Sequence, residues 1–225
     1  MTADPGLFET MHTMRAMRRL RPDPVPDELL HKALAAAVCA PSGQNTQRWA
    51  FLVVTDAEGK AFFGKNYDYW LKNRFGDRLT DFDASTAMGR TIKAAVHLGE
   101  HMHEAPALIF CCGKRDWPFK VPAEQRTGLA PPSFGSIYPA VQNLLLACRG
   151  LGLGASLTTM HQMFEEEMHD FYGIPRDFGV VAVIPVGFPR GRFGPITREP
   201  VETKTHFNRW GGSRPGLAAP EAEPS

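Results

Sequence analysis

The chain has 225 residues, 43% of them apolar, with 25 Lys plus Arg against 24 Asp plus Glu and a formal net charge of +1. That length and apolar content suit one sizeable layered domain, and the near-zero charge excludes a global field for nucleic acid or an anionic membrane. No apolar run approaches the ~20 residues that span a bilayer. The opening stretch MTADPGLFETMHTM lacks the apolar segment of a secretory signal, so none is expected and the chain reads as cytoplasmic. Cys39, Cys111, Cys112 and Cys148 form no CxxC pair and read as reduced, buried thiols.

In chain order the first feature is the basic cluster RAMRRLRP, residues 15–22. Arg15 and Arg18 would share one face of a helix, and two adjacent guanidiniums suit one phosphate; the alternative is a solvated charge run. Residues 25–41 predict a helix with Asp27 and Glu28 in its first turn and Pro41 at its stop. The loop APSGQNTQRW (40–49) is longer than its connection needs and rich in amide and backbone hydrogen-bonding groups. Residues 49–56 predict a buried strand. Residues 60–83 mix aromatics and charges without clean periodicity, and 60–80 suggest a lid, with Tyr67, Tyr69, Trp70 and Phe75 placed to stack on a planar substrate; ordinary core or dimer packing is the competing reading.

A long helix is predicted over 83–106. It carries His97-Leu98-Gly99-Glu100-His101, which fits the H-x-x-E-H zinc pattern. No downstream acid supplies a third ligand, so no metal is expected, and the helix face is read as turning His97 and His101 toward a pocket or an interface. A strand over 106–113, a loop over 115–132 and an apolar helix over 136–154 follow. GLGLG at 150–154 follows a helix rather than a strand, which marks a helix stop and not a dinucleotide fingerprint. SLTTMH then leads into a helix over 160–173, with Thr159 placed to cap it or, with Thr158, to face a ligand. A strand over 178–189 completes the ordered part. Residues 1–212 read as one domain and the tail, 213–225, is expected to be disordered.

Four of these segments, in this order, resemble the nitroreductase superfamily of FMN-dependent oxidoreductases: RAMRRL, APSGQNTQRWAFLVV, SIYPAVQNLLLACRGLGLGASLTT and IPVGFPRGRFGPITREPVE. The resemblance implies an α+β fold, with a mixed, mainly antiparallel sheet flanked by helices in an intertwined homodimer. It implies that Arg15 and Arg18, with Ala16 and Met17 between them, and Arg198 hold the FMN phosphate and ribityl chain. Leu157, Thr158, Thr159 and Met160 would line the ring system, and a backbone N–H or a Thr hydroxyl would meet N5. Pro41, Ser42, Gly43, Gln44 and Asn45 would reach the flavin of the neighbouring subunit. Tyr67, Tyr69, Trp70, Phe75 and His101 are the substrate-side candidates. The implied activity is ping-pong transfer of two electrons from NADH or NADPH through flavin N5 to a small conjugated acceptor. The same scaffold would also suit a flavin-sequestering protein, reductive dehalogenation, ene reduction or flavin breakdown. The chain departs from the family pattern at Met14-Arg15-Ala16, where Arg-Arg-Ser is common, and at Gln47-Arg48-Trp49, where Gln-Pro-Trp is common. On this reading the apolar helix around Ile137, Val141, Leu144, Leu145 and Cys148 is covered by the second subunit.

Overall fold

The structure, a computed structural model, describes residues 5–76, 82–115, 132–212 and 214. The chain divides into two compact units, Met1–Gly194 and Pro195–Ser225. The first contains helices α1 (Leu7–Thr13), α2 (Asp27–Ala37), α3 (Ala57–Phe75), α4 (Ala87–Glu100), α5 (Pro132–Gly150) and α6 (Glu165–Tyr172). Its strands are β1 (Trp49–Val54), β2 (Ala107–Lys114), β3 (Gly154–Ala155) and β4 (Phe178–Gly187). In the second, a short 3-10 turn, Val201–Lys204, is the one helical element among the described residues. No helix of the described residues is long and apolar enough to cross a membrane.

The sheet order is β1-β2-β4-β3, and every described strand pairing is antiparallel, so the mixed sheet of the sequence reading reduces here to an antiparallel one. Side chains of a strand alternate between faces. Accordingly Ala107, Ile109 and Cys111 of β2 join one core with α2 and α5, while Leu108, Phe110 and Cys112 join the other with α3, α4 and α6. Helices cover both faces, which is why β2 and β4 read as unbroken apolar runs.

Three sequence expectations need correction. Residues 57–75 form a helix, α3, where the sequence shows no clean periodicity; Asp56 caps it by accepting from the Gly59 N–H at 2.7 Å. Its buried stripe is Gly59, Phe63, Tyr67 and Leu71, each four residues from the next. The rest of the suggested lid, 77–80, lies outside the described residues, as do most of the 115–132 loop and of the tail. The predicted helix over 160–173 is split: a 3-10 turn at Met160–Met163 and then α6, with Phe164 between them at φ −146°. Finally, Ile137, Val141, Leu144, Leu145 and Cys148 are already buried inside one chain, in the core between α2, α5 and the sheet, so their apolarity needs no second subunit. Of the four cysteines, Cys39 is exposed.

Candidate active site

The RAMRRL segment is not helical. α1 ends at Thr13, Met14 is extended at φ −70°, ψ 114°, and residues 14–19 run as a strap along the β3/β4 edge. The Met17 N–H donates to the Ala155 carbonyl (3.0 Å), the Arg21 N–H to Phe188 (2.7 Å) and the Arg190 N–H to Arg19 (2.9 Å), while Leu20 bridges Pro189. Close approach is possible because two glycines are paired beneath the strap, Gly154 opposite Gly187. A Cβ at Gly154 would stand 2.9 Å from Leu20 and 3.0 Å from Met17, and one at Gly187 would stand 3.3 Å from Leu20. The helix-face pairing expected of Arg15 and Arg18 is therefore replaced by a different convergence. Both guanidiniums, with Arg19 and Arg192, line a cleft of about 250 Å³ that also touches Ala94 of α4. Among the described residues no acid is in salt-bridge contact with Arg15, Arg18, Arg19 or Arg192. The sequence reading missed Arg19 and Arg192, although both sit beside named residues of the basic stretches.

The Leu157–Met160 segment is tied to the sheet centre. The Thr158 N–H donates to the Val183 carbonyl and the Val183 N–H donates to the Thr158 carbonyl, each at 3.0 Å, so the Thr158 N–H is spent inside the chain. The Thr158 hydroxyl meets the Tyr67 hydroxyl at 3.0 Å. Burial pushes the Tyr67 phenol up, against the hydrogen bond to Thr158 and the charge of Arg18. Tyr67 and Thr158 thus form a hydrogen-bonded pair that feels the positive charge of Arg18. Leu157 and Thr159 are exposed, and Thr159 makes no side-chain capping bond. Tyr67 is 4% exposed and packs against Phe63, so its ring is not free to stack on a substrate; Tyr69 is exposed and edge-on to Trp70, and Phe75 is exposed at the end of α3.

The 41–45 loop lies elsewhere. It enters β1 at Trp49, opposite Gly113 at the end of β2, whereas the strap sits beyond Gly187, past the Val186 that pairs with Ala107 at the start of β2. These are diagonal corners of the sheet, roughly 20 Å apart along the strands and about 14 Å apart across them. Gly43–Asn45 is a single 3-10 turn in which Gln44, Asn45 and then Gln47 all have positive φ (54°, 54° and 47°). The Ser42 hydroxyl accepts from the Gln47 N–H (2.8 Å), and the Gly43 N–H donates to Ser136 of α5 (3.3 Å). Pro41 and residues 43–47 are exposed, and a Cβ at Gly43 would meet nothing within 4 Å. Arg198 belongs to the second unit, where its guanidinium donates to the Thr197 carbonyl (2.7 Å).

His97 and His101 stack at 4.0 Å with 29° between ring planes. Among the described residues no third His, Cys, Asp or Glu joins them as a possible metal ligand.

The model of the nitroreductase family matches residues 13–188, and the chain belongs to that family. It is 28% identical over 199 residues to an NADH dehydrogenase of Thermus thermophilus, covering 84% of this chain and 89% of that protein. It is 26% identical over 196 residues to 5,6-dimethylbenzimidazole synthase of Rhodospirillum rubrum, covering 82% of each. Among solved structures, iodotyrosine deiodinase bound to FMN and 3-iodo-L-tyrosine superposes with a TM-score of 0.67 at 23% identity, over 86% of this chain and 95% of that one.

Proposed function

We propose that the chain is an FMN-dependent oxidoreductase that passes two electrons from NADH or NADPH to a small conjugated acceptor of the nitroarene or quinone type, in ping-pong turnover. The observation that carries this reading is the strap of guanidiniums, without salt-bridge partners among the described residues, fixed on Ala155 three residues before Thr158. Cations left without acids suit a phosphate, whose oxygens accept bidentate guanidinium contacts. Bound there, FMN supplies the hydride-accepting N5 and a conjugated ring that no side chain provides.

Arg15, with Arg192 beside it, holds the phosphate, and Arg18 sets positive charge next to the Tyr67–Thr158 pair, where it stabilises negative charge on a reduced ring. With the Thr158 N–H committed to Val183, the donor at the N5 edge comes from Thr159 or from the Thr158 hydroxyl. Exposed Leu157 and half-buried Met160 give the ring an apolar contact. The role of Arg198 rests on the family likeness alone.

The homodimer with shared sites is part of the same reading, and the diagonal placement of loop and strap supports it. A loop that ends at the far corner of its own sheet reaches a strap-bound ligand only from a second copy. Exposed Leu7, Phe8 and Met11 on α1 (62%, 75% and 41% exposed) offer apolar surface for such a contact.

The protein is expected to purify yellow with one FMN per chain and to be bleached by NADH or NADPH in stopped flow. A colourless protein that ignores added FMN would overturn the reading; bound FMN that neither nucleotide reduces would favour a flavin-sequestering role.

A further inference from the structure

A second cleft, of about 310 Å³, adjoins the first and shares Arg18 and Arg19 with it. Its other walls are Arg190, past the end of β4, and His97, His101 and Glu104 from α4 and the turn that follows. The proposed flavin site uses neither Arg190 nor His97, and His101 entered only as a substrate-side candidate. Three guanidiniums therefore converge on a space with one carboxylate at its wall, and among the described residues none of the three has a salt-bridge partner.

These side chains do not hold the fold together. The strap is fixed by its backbone, through the Met17, Arg21 and Arg190 N–H groups and the Leu20–Pro189 bridge, and among the described residues Arg18 and Arg19 have no side-chain hydrogen-bond partner. Arg190 is the preorganised member: its Nε–H donates to the Leu20 carbonyl at 3.1 Å, which aims the rest of the guanidinium. The imidazoles are preorganised too. The His101 Nδ1 lies 2.8 Å from the His97 carbonyl; a carbonyl only accepts, so Nδ1 carries the proton, and Nε2, an acceptor in the neutral ring, donates to an anion once the ring is protonated. Gathering like charges costs energy that a bound anion would offset.

We infer that this cleft is a second anion site, which takes a phosphoryl group carried by the reductant or by the acceptor. The phosphoryl group's three terminal oxygens suit a ring of guanidinium and imidazole donors, and its dianionic charge matches the unpaired cations. The inference rests on the proposed oxidoreductase reading only for which molecule brings the group. Burial, then His101 and Arg19, hold His97 below its ordinary range, against the pull of Glu100 and Glu104. A bound dianion would raise the imidazole pKa values, so occupancy is linked to proton uptake.

The test is an NMR titration of the imidazole resonances, assigned with H97Q and H101Q, on the protein both FMN-loaded and FMN-free. Sulfate at constant ionic strength is the first probe, because it does not titrate in the histidine range. Both resonances should shift saturably at millimolar sulfate, with both pKa values raised. Arg19→Ala and Arg190→Ala should each weaken binding by about tenfold, the loss of one charge-assisted contact, with thermal melts confirming that the variants fold. 2′-AMP binding tighter than 5′-AMP, with KM for NADPH but not NADH raised in R190A, would trace the group to the reductant. Equal nucleotide affinities with unchanged KM values would trace it to a phosphorylated acceptor. Shifts that only follow ionic strength, variants that bind sulfate as the parent does, or a response abolished by FMN loading would overturn the second site. The FMN-free arm keeps this result separate from any failure to bind flavin.

Discussion

His161 shows what one buried side chain contributes. It has no exposed surface and donates through Nε2 to the Val180 carbonyl at 2.6 Å. Burial pushes its pKa below the ordinary value of 6.5; the hydrogen bond to Val180 and the charge of Glu165 act in the opposite direction and do not prevail. A depressed folded pKa means that the unfolded chain binds the proton first. The stability tied to this group is therefore complete above pH 6.5 and is lost as pH falls toward the folded pKa, by at most about 1.4 kcal/mol per pH unit. Urea unfolding at a series of pH values should show this slope, and His161→Gln should flatten it. An unchanged slope in the variant would assign the effect to another group. Residue type alone could not have indicated this: nothing in SLTTMH tells that His161 is buried against Val180.

At the scale of elements, the 42–47 turn stores strain. A left-handed backbone at a residue with a Cβ costs about 1–2 kcal/mol, less for Asn. Gln44 and Gln47 accept that cost in an exposed loop, held by the Ser42–Gln47 bond and by the Gln47 amide on the Asn45 side chain at 3.1 Å. Strain retained on a surface suits a loop preshaped for contact. Gln44→Gly should raise stability by about 0.5–1 kcal/mol and weaken FMN binding by loosening the loop. Denaturant midpoints and FMN titration measure both; a destabilised variant would show that the turn is not strained. The sequence made the loop's length and chemistry legible but not its left-handed residues, because nothing in Gln-Asn-Thr-Gln demands positive φ. α3 was hidden for a different reason. Its core stripe of Phe63, Tyr67 and Leu71 is flanked by Phe62, which stacks on Phe171 of α6 at 3.9 Å, and by half-buried Trp70, so apolar residues fall on several faces and the periodicity blurs. The apolar face of α5 was legible as a face, but a sequence does not say whether its own chain or another covers it. The arginines of the strap were legible as a cluster. Their convergence was not, since it depends on a glycine pair between β3 and β4.

For the whole molecule, the separation of loop and strap makes a mixing experiment decisive. On the proposed reading, an R15A/R18A chain would lack the phosphate grip and a chain with Ser42 and Asn45 replaced by bulky residues would lack the reach. Each variant alone should be inactive. A mixed dimer in shared-site geometry has one undamaged site, so mixing under exchange conditions should restore part of the NAD(P)H-dependent activity. No recovery despite proven subunit exchange would show that each site is built within one chain.

The thiols differ sharply in environment. Burial holds Cys111 far above its usual range and pushes Cys112 and Cys148 up to about 12, while Cys39 stands exposed at the end of α2, its Sγ 3.3 Å from the Ala35 carbonyl. The native chain thus carries a single addressable handle without any engineered cysteine. A maleimide fluorophore or nitroxide would attach there alone, three residues before the 42–47 turn. Energy transfer or dipolar coupling between two such labels would then serve as a ruler between copies of the chain.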